Sequence, residues 1–183
     1  MKNMNRNKMS WTILGLTVAF WIPYNEDAKS NASKAIATVN KYLKRAYDNG
    51  SDIEARDALF RAAYEAGLAM NKCSLGYAHA FGHRLTGLYD LPHGMAVGMV
   101  LPHVINYNKK AAEKEFAELA IACGLGKAME PKDFLADKFE KSIFKLYDKL
   151  KLSKKCDKLK KSDYDQIIKE AFKETDATYG VPK

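Results

Sequence analysis

Cysteine is scarce in this 183-residue chain, and its pattern excludes a disulfide framework. Cys73, Cys123 and Cys156 are odd in number, widely spaced and free of any C-x-x-C pair. A reducing cytoplasm is therefore the expected location. Acidic residues are also in deficit, 22 Asp and Glu against 30 Lys and Arg, which leaves a net charge of +8. The excess gathers in Lys149–Lys161, a run with no aromatic residue. A solvated lysine face is expected there, and no nucleic-acid partner. No apolar run reaches membrane-spanning length, so no membrane partner is expected either. The longest run, Trp11–Pro23, has 13 residues. It follows the basic stretch MKNMNRNKMS, which is the outline of a signal peptide, but no small-x-small cleavage site follows. The run suits a buried strand or a short helix equally well. No internal repeat is visible, and no segment after residue 24 alternates with period 2, so strands are not expected in the body.

What is present is helical periodicity on a substantial apolar fraction, 47% of residues, enough for one domain with a core. Ala32, Ala35, Ile36, Val39, Leu43, Ala46 and Tyr47 recur on one helical face, with Asn25 or Ser30 as candidate caps. Asp48-Asn49-Gly50 should end that helix, with Gly50 left-handed. Ser51-x-x-Glu54 reads as a capping box opening a second helix through about Lys72, in which Asp57 and Arg61 pair at i, i+4. Its alanines and Gly67 suggest close packing against another helix. Further helices are expected over Lys109–Cys123, stopped by Gly124, then from Pro131 through Leu150, and finally after Ser162 or Asp163. The last would carry Ile167, Ile168, Ala171 and Phe172. The expected fold class is all-α, a helical bundle with short connections.

All four histidines, His79, His83, His93 and His103, lie between Gly67 and Asn108, and the rest of the chain has none. Ser74 or Gly76 can begin a helix that carries His79 and His83 on one face, four residues apart. Leu91-Pro92-His93 opens another helix, expected to run to Pro102, and a turn between the two can bring His93 back towards His79. Two imidazoles at i, i+4 reach one metal, or one metal and one substrate. Three imidazoles and water would suit zinc, and two imidazoles with oxygen ligands from elsewhere would suit ferrous iron. Asp90 is the sole carboxylate among His79–His103, so the stretch offers no obvious acidic ligand. The alternative for each histidine is a hydrogen-bonded structural role, and that role is favoured for His103.

The stretch AGLAMNKCSLGYAHAFGHRLTGLYDLPHGMAVGMVLPHVINYN resembles the signature of the iron-containing (group III) alcohol dehydrogenases, G-x-x-H-x-x-x-H followed by P-H-G. The resemblance extends upstream through KYLKRAYDNGSDIEARDALFRAAYEAG and downstream to YGVPK. It covers roughly Tyr24 to Lys183 and concerns the C-terminal helical metal-binding domain only, the α-domain of the dehydroquinate synthase-like fold. It implies a two-domain enzyme that interconverts alcohols and aldehydes by metal-assisted hydride transfer. By position, His79 and His93 match two ligands of a divalent metal, Fe²⁺ in the first place and Zn²⁺ in the second. His83 matches a catalytic and cofactor-binding histidine beside the nicotinamide of NAD or NADP.

The departures from that pattern shape the expectation. The family's other two ligands sit in a D-A-x-x-H motif, and SWTILGLTVAFWIP stands in its place with neither Asp nor His. Arg84 and Thr86 replace a common proline and glycine. The glycine-rich NAD(P)-binding domain has no counterpart in the sequence. Residues 1–23 are therefore expected to be an atypical leader, and 24–183 an all-α domain cut short at its C-terminus. Three readings follow. The chain is the helical half of such a dehydrogenase, inactive alone, acting on a small alcohol or aldehyde once a separate nucleotide-binding chain joins it. Otherwise it is a non-catalytic helical module, prone to self-association. In the third reading it is a self-contained three-histidine zinc enzyme.

Overall fold

The computed structural model describes residues 26–178. The leader over residues 1–23, the candidate cap Asn25 and the segment Tyr179–Lys183 lie outside them. Seven α-helices follow in order: α1 Glu26–Asp48, α2 Ile53–Cys73, α3 Tyr77–Tyr89, α4 His93–Asn108, α5 Glu113–Ala122, α6 Lys132–Leu150 and α7 Tyr164–Thr178. A single 3₁₀ turn, Lys161–Asp163, precedes α7. No strand occurs among the described residues, and none of their helices is long and apolar enough to cross a membrane. The all-α expectation holds.

The first two helices form an antiparallel pair because their facing surfaces are small. Ala28, Ala32 and Ala35 of α1 and Ala55, Ala62, Ala66 and Ala69 of α2 are buried, and side chains of one carbon let two backbones approach closely. The hairpin is closed at one end by Arg45, which donates to Asp52 and Glu54. At the other end Lys72 pairs with Asp27 at 3.0 Å. The Asp57–Arg61 pair forms as expected, at 3.0 Å. The cap of α2 falls one residue later than Ser51: Asp52 accepts from the Ala55 amide at 3.0 Å, while Glu54 turns to Arg45. A carboxylate both caps the helix and satisfies the guanidinium, which a serine cannot do. Other local expectations also shift. Ser30 lies inside α1, Tyr47 is exposed, and Gly50 is not left-handed. A side chain at Gly67 would meet open space, so that glycine mediates no close contact.

Larger side chains fill the space between α1, α5 and α6. Phe116 and Phe139 are fully buried and meet at a centroid distance of 5.7 Å, beside Ile36, Leu135, Ile143 and Leu150. Each such side chain contributes about 1.5–3 kcal/mol on burial. The segment Lys109–Ala112 is a turn, so α5 starts at Glu113 and not at Lys109, and Gly124 ends it at φ 68°. Pro131 opens α6 as expected, with Phe134 on its exposed side. The lysine-rich link after α6 is mostly exposed. It is tied down by its backbone, since the Lys160 amide donates to the Tyr89 hydroxyl at 3.3 Å. In α7, Ile167 and Ala171 are buried while Ile168 and Phe172 are exposed.

Helix α4 does not stop at Pro102 but runs through it to Asn108. Proline lacks the N–H that would bond the carbonyl four residues back, which is that of Gly98. The buried Tyr147 of α6 replaces it, donating its hydroxyl to the Gly98 carbonyl at 2.7 Å.

Candidate metal centre

Helix α3 places His79 and His83 one turn apart, and the glycine between them decides what lies opposite. A Cβ at Gly82 would come within 2.6 Å of Val97 Cγ2 and about 3 Å of the Val97 backbone. Helices α3 and α4 therefore touch backbone to backbone at this point. Val97 is one turn beyond His93, so the contact aligns the start of α4 with the histidine face of α3. The connection is three residues long. Asp90 takes a left-handed φ of 51°, which aspartate tolerates, and Pro92 fixes the entry to α4.

Three of the four histidines meet. The ring centroids of His79 and His93 are 5.7 Å apart, those of His79 and His83 6.0 Å, and those of His83 and His93 5.2 Å with the planes stacked at 22°. His103 is elsewhere. It is exposed on the far part of α4, with Nε2 3.0 Å from the Lys154 carbonyl, a structural tie to the lysine-rich link.

The electrostatics favour neutral rings at His79 and His93. His79 is buried and its pKa is pushed down to about 3, first by desolvation and then by His93 and His83, with Glu174 opposing. His93 is lowered by burial and then by His83. A neutral imidazole is the form that binds a metal. A tetrahedral ion about 2.0–2.1 Å from each ring nitrogen sets two ring centres roughly 5 Å apart. The His79–His93 spacing comes near that value. The His83 ring lies face to face with His93, so its edge does not converge with theirs. No group of three or more His, Cys, Asp or Glu able to hold a metal occurs among the described residues. His79 and His93 are thus spaced as two donors of one metal could be, and no third donor converges on them among the described residues.

One participant is invisible in the histidine stretch. Glu174 of α7 lies 91 residues beyond His83, and its Oε1 is 2.7 Å from His83 Nδ1. Arg84 spans the same helix, with Nη2 2.8 Å from Glu174 Oε2 and Nη1 3.0 Å from Glu170 Oε2. The sequence carries one hint. Glu170 and Glu174 are like charges at i, i+4, which repel on an isolated helix unless a cation sits between them.

Known proteins resemble this chain in sequence and in fold. Residues 22–183 match the family model of the Fe-containing alcohol dehydrogenases, C-terminal part. Alcohol dehydrogenase 4 of Schizosaccharomyces pombe is 36% identical over 143 residues, 78% of this chain and 33% of that protein. The 1,3-propanediol dehydrogenase of Klebsiella pneumoniae is 43% identical over 93 residues, 51% of this chain and 24% of that one. Among solved structures, a 1,3-propanediol oxidoreductase superposes with a TM-score of 0.82 at 30% identity, over 89% of this chain and 43% of that one. An alcohol dehydrogenase from Oenococcus oeni gives 0.81 at 28% identity, over 91% and 44%. The matches to the two curated relatives span about a quarter to a third of their lengths.

Proposed function

The chain belongs to the iron-containing alcohol dehydrogenase family, and from that premise we propose that it is the helical half of an NAD(P)-dependent enzyme interconverting a small alcohol and its aldehyde. His79 and His93 hold a divalent metal, Fe²⁺ in the first place and Zn²⁺ in the second. Such a cation would supply Lewis-acid polarisation of the alcohol oxygen, with a nicotinamide as hydride acceptor. Burial keeps the His79 and His93 rings neutral and ready to ligate. His83 sits beside them as the residue that meets substrate and nicotinamide.

The observation that carries this reading is the 5.7 Å pairing of His79 with His93, without a third converging ligand among the described residues. Two ligands bind a metal weakly, and the chain alone is expected to bind Zn²⁺ or Co²⁺ weakly and to turn over no alcohol. On this reading a nucleotide-binding half brings the remaining ligands. Calorimetric titration with Zn²⁺, and NAD(P)-linked alcohol oxidation with and without a recombinant nucleotide-binding half, test both statements. Robust oxidation by the chain alone would sink the claim of dependence.

A non-catalytic helical module is the second reading, and one surface favours it. Phe60 and Tyr64 on the outer face of α2 are 77% and 67% exposed, with Ile53 and Leu68 on the same stripe. Such a patch promotes self-association, and size-exclusion chromatography giving a clean monomer counts against it. The self-contained three-histidine zinc enzyme is disfavoured by His83, whose ring stacks face to face on His93 and so does not converge with the other two.

A further inference from the structure

We infer that Glu174 is the positioning residue of His83, fixing its imidazole as the Nδ1–H tautomer so that Nε2 is the nitrogen offered to the site. The functional meaning rests on the dehydrogenase reading above, whereas the tautomer rests on geometry alone.

A carboxylate can only accept, so the 2.7 Å contact requires His83 Nδ1 to carry the hydrogen. In a neutral ring the proton on Nδ1 leaves Nε2 with its lone pair. The contact is directional because Glu174 itself is held. Its Oε2 accepts from Arg84 at 2.8 Å, which leaves Oε1 facing His83. Arg84 is anchored in turn on Glu170 at 3.0 Å. All four residues lie across the contact between α3 and α7, and the Glu174 side chain is only 18% exposed. Glu174 thus meets the guanidinium through one oxygen and the histidine through the other. A glutamate serving only as an ion-pair partner for Arg84 has no need of the second contact. Carboxylate-to-histidine bonds of this kind commonly set ring orientation and tautomer around a metal site.

The test is long-range ¹H–¹⁵N NMR on the full-length, metal-free chain at about pH 9, above the ordinary imidazole range. His83 should show the Nδ1–H pattern. His103 serves as the internal standard. Its Nε2 must donate to the Lys154 carbonyl, so it should show the opposite pattern. In Glu174→Ala the two ring nitrogen shifts of His83 should exchange, giving the Nε2–H form, while His103 stays as it was. Arg84→Met removes the clamp but keeps the acceptor, and should leave His83 predominantly Nδ1–H. A wild-type His83 in the Nε2–H form overturns the inference outright, and it needs no variant to fold. Persistence of Nδ1–H in a folded Glu174→Ala overturns it as well. Because none of these readouts involves metal loading or turnover, failure of the dehydrogenase reading leaves the result interpretable.

Discussion

The Tyr147 hydroxyl donates to the Gly98 carbonyl at 2.7 Å, and that bond lets α4 pass through Pro102. Tyr147 is fully buried, and burial pushes its phenol pKa upward, so the hydroxyl stays a donor. In Tyr147→Phe the Gly98 carbonyl would be left buried without this partner, at a cost of about 1–3 kcal/mol. Urea unfolding should show a lower midpoint with an unchanged slope. In a Pro102→Ala background the returning N–H can bond Gly98 directly, so the same change should cost about 1 kcal/mol less. Additivity of the two substitutions would refute the link.

The same pair explains what the sequence made legible and what it did not. The apolar spacing of α1, α2 and α6, the i, i+4 face of His79 and His83, and the Pro92-His93 helix start are local features, readable from a few residues each. Helix α4 outruns its expected end because Pro102 breaks helices only by a local rule, and its remedy comes from a tyrosine 49 residues from Gly98. Glu174 was missed for the same reason at greater range, since nothing near His83 in sequence announces a carboxylate 91 residues away. The cap of α2 moved from Ser51 to Asp52 because Arg45, on another helix, needed the carboxylate. Periodicity specifies elements, while the partners that complete them arrive through tertiary contact.

Gly82→Ala probes the backbone contact that aligns the histidines. The added methyl would lie about 3 Å from the Val97 backbone, which cannot rotate away as a side chain tip can. Overpacking of this kind costs about 1–3 kcal/mol. The expected result is a melting temperature several degrees lower, by roughly 2–4 °C per kcal/mol. Zn²⁺ affinity should fall as well, because parting α3 from α4 moves His79 away from His93. Gly67→Ala is the matched control. A Cβ there meets nothing within 4 Å, and alanine favours a helix by up to about 1 kcal/mol over glycine.

Lys151→Gly should stabilise the chain. Lys151 closes α6 in the left-handed region at φ 53°, and the next amide, Leu152, bonds back to the Tyr147 carbonyl at 2.9 Å. Glycine is the residue usually found in that position because its lack of a Cβ removes the penalty. Relief of that conformation is worth about 1 kcal/mol. The Lys151 side chain is exposed, so little packing is lost. Thermal unfolding of the single variant measures the gain, and a loss of stability would contradict the assigned backbone geometry.

Acid should destabilise the metal-free chain through His79. Its folded pKa is pushed down to about 3 by burial and by its histidine neighbours, against an unfolded value near 6.5. Between those two values the unfolded chain binds a proton that the folded chain refuses, so stability falls as pH falls. From pH 7 to pH 5 this group alone removes about 2 kcal/mol, and its slope dies away as pH rises well above the unfolded value. His93 is lowered in the same direction and adds to the loss. Urea midpoints at the two pH values in EDTA measure the effect. In His79→Gln the acid slope should shrink by about 1 proton, because the buried site no longer excludes a titrating group. A slope identical to that of the wild type would show that His79 is protonated in the folded chain, and with it that the pair facing His93 is not a neutral ligand pair.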